Sequence, residues 1–121
     1  MQLYKVHQKR VSKPLVDVAA EVARSLDAAD LRIPNGEIAI TAGSRGIANI
    51  DVITRAAGDW LKAQGASPFI VPAMGSDNGA TAQGQRNMIE SLGVTEQAMG
   101  MEIRSSMDVV KLGSVATRAA R

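Results

Sequence analysis

Two stretches of the chain gather the side chains best suited to chemistry, Gly43-Ser44-Arg45-Gly46 and Gly75-Ser76-Asp77-Asn78-Gly79. Arg45 carries a planar donor fork that fits a carboxylate or a phosphate. The glycines around it let a backbone approach a ligand closely, and the helix expected to follow offers free N–H groups to an anion. Ser44 and Ser76 add hydroxyls to the two stretches. Asp77 can accept a proton, bind a metal or brace a turn, and Asp-Asn-Gly is a common turn composition. From residue types alone, an anion contact at Arg45 and a tight turn with a solvated Arg are both open. The first stretch is not a Walker loop, because no Gly-Lys-Ser/Thr follows, and it lacks the G-x-G-x-x-G spacing of a dinucleotide loop.

Other chemistry-bearing residues have plainer readings. Thr81 is placed to cap a helix. Arg104-Ser105-Ser106 sits at an expected strand end, where it either touches the same ligand or marks a strand-to-turn transition. His7 reads as a surface residue, and one His with no Cys argues against a zinc site built from this chain. Trp60 lies on a helical apolar stripe and reads as core, and the six Met residues read as aliphatic filler.

The elements that must hold these residues follow from hydrophobic spacing. Residues 3–6 are expected as a short leading strand. Leu15, Val18, Ala19, Val22 and Leu26 then recur at helical spacing, with Ser12 or Lys13 near the cap and Pro14 in the first turn. Pro34-Asn35-Gly36 signals a turn, and residues 37–42 read as a strand covered on both faces that stops at Gly43. A helix starting near 48–49 carries Ile50, Ile53, Ala57, Trp60 and Leu61, with Gly65 as its stop. Phe69-Ile70-Val71 is a buried strand ended by Pro72, and a third helix runs from about 82 to 92. Gly84 inside that helix costs about 1 kcal/mol relative to Ala. Thr95 caps one further turn, and residues 102–105 and 109–112 are short strand candidates. Alternating strands and helices imply one α/β domain over 1–121, a three-layer Rossmann-like fold with a mostly parallel sheet and helices on its faces. In such sheets ligands bind beyond the carboxyl ends of the strands, where both polar stretches fall.

Composition narrows the classes. Hydrophobic residues are 45% and charged residues 21%, as in ordinary globular chains, while aromatics are only 2%, so the core must be aliphatic. Zero Cys excludes a disulfide framework. A net charge of +2 is too small to imply a polyanionic partner, and few aromatics argue against nucleic-acid binding. Lys5, Lys9, Arg10 and Lys13 read either as a phosphate-contacting arm or, the plainer reading, as protection of a solvated strand edge. No apolar run reaches the length of a membrane span, and the start lacks a signal-peptide core, so a cytoplasmic setting is expected.

The segments Gly43-Ser44-Arg45-Gly46-Ile47-Ala48-Asn49-Ile50-Asp51, Pro68-Phe69-Ile70-Val71-Pro72-Ala73-Met74-Gly75-Ser76 and Ile103-Arg104-Ser105-Ser106-Met107 resemble the nickel-dependent lactate racemase family, in particular its uncharacterised relatives. Gly79-Ala80-Thr81 and Leu92-Gly93 extend the likeness, which runs from about 36 to 112. The resemblance implies racemisation or epimerisation of 2-hydroxy acids by a nickel-pincer nucleotide that takes a hydride from the substrate carbon and returns it to the other face. The family's Asp-x-Thr-Arg pattern falls on Ala42-Gly43-Ser44-Arg45. The likeness therefore implies Arg45 as the carboxylate or phosphate contact, with Ser44 a donor to the same anion and Ser76 beside it. The family's acid/base His position holds Asp77, and an ordinary Asp, with a pKa near ~4, is a weak base at neutral pH. The family's cofactor-attaching Lys and nickel-binding His lie beyond residue 121, and His7 does not match them.

The expected function is thus the substrate-side part of a 2-hydroxy-acid isomerase, inactive alone, with no metal or cofactor held by this chain itself. Its partners would be a small 2-hydroxy acid or other small anion, and either a second domain or a second copy of the chain. A small-anion or nucleotide binding module, and an oligomeric scaffold without catalysis, are the alternatives.

Overall fold

Residues 37–42 and 67–72 alternate in burial, which is what two short strands do when one side of their sheet packs and the other does not. They form strands β1 (Glu37–Ala42) and β2 (Ser67–Pro72), paired in parallel with Glu37 opposite Ser67 and Ala42 opposite Pro72. The computed structural model describes residues 3–9, 13–44 and 46–115. Arg10, Ser12 and Arg45 lie outside the described residues.

Ile38, Ile40, Ala42, Pro68, Ile70 and Pro72 share the packed face of the sheet, whereas Glu37, Ala39, Thr41 and Ser67 on the other face are exposed. Parallel strands need a crossover, and helix α2 (Ile50–Ala63) supplies it. Helix α3 (Ala82–Ser91) follows β2, and both helices contribute to one core. Ile50 from α2 and Ile89 from α3 meet Ala42 and Ile70 from the strands, together with Val94, Met99, Met101 and Ile103. Packing is tight where α2 crosses Met101, since a Cβ on Gly58 would lie 2.3 Å from the Met101 Cε. A last short helix, α4 (Glu96–Met99), is capped by the Thr95 hydroxyl, which accepts from the Ala98 N–H at 3.1 Å.

Helix α1 (Val18–Ala28) lies against α2 but buries none of its residues. It begins later than its apolar stripe suggests. Asp17 is the N-cap, its carboxylate accepting from the Ala20 N–H at 2.9 Å, and this bond stops the helix from extending back to Lys13 and Pro14. Upstream, Val16 is fully exposed and has no packing to draw it into the stripe. Trp60 is half-buried on α2 and donates its indole N–H to Asp27 of α1 at 2.7 Å.

The sheet is smaller than expected. Among the described residues it has two strands, and its second pairing is a single parallel bridge between Ile70 and Ile103. Residues 3–6 and 109–112 have no regular structure, and Leu3, Val6, Val109 and Leu112 are each at least four-fifths exposed. A strand is stable only with a neighbour to complete its ladder, and these segments reach none among the described residues. The residues 37–42, read as covered on both faces, are covered on one, because α2 and α3 pack on the same side. Basic residues at 5, 9 and 13 therefore protect no strand edge. No helix among the described residues is long and apolar enough to cross a membrane.

Candidate functional site at the strand ends

Both polar stretches leave the carboxyl ends of adjacent strands. The β1·β2 ladder runs one residue past the strands, with the Ala73 N–H donating to the Ala42 carbonyl at 2.8 Å, so the two loops start side by side. There Ser44 and Asp77, 33 positions apart, meet: the Ser44 hydroxyl donates to Asp77 Oδ2 at 3.0 Å in a part-buried bond. A hydroxyl has one proton to give. In this state the proton goes to Asp77 rather than to an anion, and Ser44 positions the carboxylate. Ser76 is exposed and precedes a 3₁₀ turn over Asp77–Ala80, making no capping bond to it. Arg45, the expected anion contact in the first loop, is outside the described residues.

The second loop is held by Gln85, which spacing alone did not single out, together with Asn78 and Thr81. Gln85 is buried on α3, and its amide donates to the carbonyls of Met74 at 3.1 Å and Gly75 at 3.2 Å. Asn78 donates its side-chain amide to the Gly84 carbonyl at 2.9 Å. Thr81 caps α3 as expected, accepting from the Gly84 N–H at 3.0 Å. Asn78 and Ala80 hold positive φ of 50° and 52°, which is uncommon for residues other than glycine, and Ala has no side-chain bond to offset it. Such backbone persists only where surrounding contacts enforce it. Gly84 makes those contacts possible, because a Cβ there would lie 2.0 Å from the Asn78 carbonyl oxygen. A glycine inside the Thr81–Gln85 stretch was the visible signal, and its meaning is close approach rather than a weak helix.

The first loop is built differently. Asn49 begins α2 in the left-handed region at φ 57° and its side chain makes no capping bond. The first turn of α2 thus keeps donors that a cap would have taken, although Asp51 in that turn already places one negative charge in the field of the helix N-terminus.

Arg104 and Ser105 are not part of this cluster. Arg104 lies over the Phe69 ring, 4.0 Å from its centroid, and pairs with Glu37 at 2.6 Å and Glu102 at 2.9 Å. Glu37 opens β1, so Arg104 reaches toward the end of the sheet opposite the loops. These hydrogen bonds hold Arg104 more firmly protonated and lower the Glu37 pKa. Ser105 donates to the Ala82 carbonyl at 2.7 Å and ties the following segment to the start of α3. A groove of about 300 Å³ lies between α1, α2 and α4, where Arg55 bonds Asp59 and the Ala98 carbonyl.

Among the described residues no group of three or more His, Cys, Asp or Glu side chains converges as a metal site requires, and His7 lies in the exposed 3–9 segment. The residues described therefore do not fit the nickel group that the resemblance implies. Compared with family models, curated proteins and solved structures, the chain matches none.

Proposed function

We propose that this chain is the substrate-side domain of a racemase-like isomerase, a single cytoplasmic domain that binds a small 2-hydroxy acid at the strand ends and does not turn it over by itself. The observation that carries the proposal is the Ser44–Asp77 hydrogen bond, which joins two distant polar loops at the carboxyl edge of a parallel sheet. In this reading Asp77, oriented by Ser44, accepts a hydrogen bond from the substrate hydroxyl. Arg45 supplies the fork for the substrate carboxylate, helped by the uncapped first turn of α2. The two-strand sheet is then the centre of a larger Rossmann-like sheet completed in the assembled protein.

Titration calorimetry of the purified chain with D-lactate, L-lactate, propionate, phosphate and AMP tests this. Lactate is expected to bind more tightly than propionate, which lacks the hydroxyl, and Asp77→Asn to erase that preference. Arg45→Ala is expected to weaken every carboxylate at least tenfold. Unchanged affinities in Arg45→Ala would remove it from the site. Tighter binding of phosphate or AMP than of any hydroxy acid would favour an anion-binding module, for which the uncapped α2 terminus is the specific structural support. Racemisation of lactate by the chain alone, with charged nickel cofactor added, would refute the claim of inactivity.

A further inference from the structure

Strand β1 exposes an edge with few of the devices that keep sheet edges apart. The Ser67 N–H donates to the Gly36 carbonyl at 2.7 Å and the Ala73 N–H to the Ala42 carbonyl at 2.8 Å. In a parallel pair the residues that bond to the neighbour alternate, so Ile38, Ile40 and Ala42 face β2 with their backbone groups. The N–H and C=O groups of Glu37, Ala39 and Thr41 point the other way. The far side of β2 is occupied: Ile70 accepts from the Arg104 N–H and donates to the Glu102 carbonyl, both at 2.8 Å. On the outer side of β1 no described residue pairs. Natural edges are usually blunted by Lys, Pro or a bulge, yet Glu-Ile-Ala-Ile-Thr-Ala has neither Lys nor Pro, its register is unbroken, and its one charge sits at the first position.

We propose that β1 is the surface through which two copies of this chain associate, edge to edge and antiparallel, about a two-fold axis at Ala39. This register is self-complementary. Ala39 meets Ala39 of the other copy, and Glu37 meets Thr41, so no like charges oppose each other and the smallest side chain sits on the axis. Its outward-pointing residues are also those that form the closely bonded pairs of an antiparallel ladder. The proposal does not depend on the ligand reading, because the edge and the strand-end loops are separate surfaces.

Sedimentation of the 121-residue chain over a concentration series is the test. The wild type is expected to be a dimer. Ala39→Pro removes an outward-pointing N–H and leaves the β1·β2 ladder intact, so it is expected to weaken dimerisation at least tenfold with an unchanged far-ultraviolet dichroism spectrum. Ala39→Lys and Ala39→Glu each place two like charges on the axis and are expected to be monomers, while their equimolar mixture re-forms a dimer. That charge rescue belongs to this register and holds even if the proline variant does not fold. A wild type that is monomeric throughout, a dimer indifferent to Ala39→Pro, or a mixture that stays monomeric would each overturn the proposal. If deletion of residues 1–9 abolishes association and the mixture does not rescue, the occupant of the edge is the amino-terminal segment and not a second β1.

Discussion

The two strand-end loops start side by side but are built differently. The second is fastened to α3 by Gln85, Asn78 and Thr81 and keeps two non-glycine residues at positive φ. The first has an uncapped helix start and a side-chain hydrogen bond, Ser44 to Asp77, that leans on its neighbour. One loop is a wall and the other rests against it. Spare donors therefore belong to the first loop, and the fixed carboxylate to the second.

The sharpest way to break the contrast is at Gly84. Helix propensity alone says that Gly84→Ala stabilises α3 by about 1 kcal/mol. The packing says the opposite, because the new Cβ would sit 2.0 Å from a backbone oxygen and 2.8 Å from Thr81 Oγ1. Backbone cannot swing aside as the end of a long side chain can, and overpacking of this kind costs about 1–3 kcal/mol. The expected outcome of urea unfolding is a net loss of stability, with faster exchange of the amides around 74–81. A stabilised variant would show that the second loop is not fastened as described.

How much of this was readable in the residues themselves differs by element. The bounds 37–42 matched because Gly36 and Gly43 bracket the strand, and Thr81 and Thr95 cap their helices because capping is a bond within four residues. Ser44 and Asp77 were legible as residues of interest, since loops at strand ends are rich in such types. Their contact was not, because it spans 33 positions and depends on how the two strands align. Gln85 carried no local signal, as a polar residue on a helix ordinarily faces solvent. Residues 3–6 and 109–112 have strand-like composition, but a strand also needs a neighbour, and composition does not contain one.

A weaker perturbation of the wall is acid. Glu96 accepts from the Ile103 N–H at 2.8 Å and pairs with Arg86 of α3 at 3.1 Å. The backbone bond first, and Arg86 second, lower its pKa from the usual 4.5. A carboxylate with a depressed folded-state pKa binds fewer protons folded than unfolded near that value, so its contribution is present above 4.5 and is lost as pH falls through the folded value. Glu37, lowered by Arg104, adds to the same slope. Unfolding by urea from pH 7 to pH 3 is expected to show stability falling below about 4.5, and Glu96→Gln to flatten but not abolish the fall. An unchanged slope in that variant would mean that Glu96 does not anchor the segment under α3.

The smallest effect is expected at Ser44. Ser44→Ala removes one part-buried hydrogen bond and leaves Asp77 near enough to solvent to be hydrated, so the cost is about 1 kcal/mol or less. Its pattern says more than its size. If the first loop leans on the second, amide exchange should quicken over 43–49 and stay as it was over 74–85, where Gln85, Asn78 and Thr81 still hold. If both stretches quicken together, the two loops form one cooperative unit, and Asp77 is held as much by Ser44 as by its own turn. That second outcome would turn the wall and its lodger into equal partners, and would place the control of the Asp77 carboxylate in the loop that also carries Arg45.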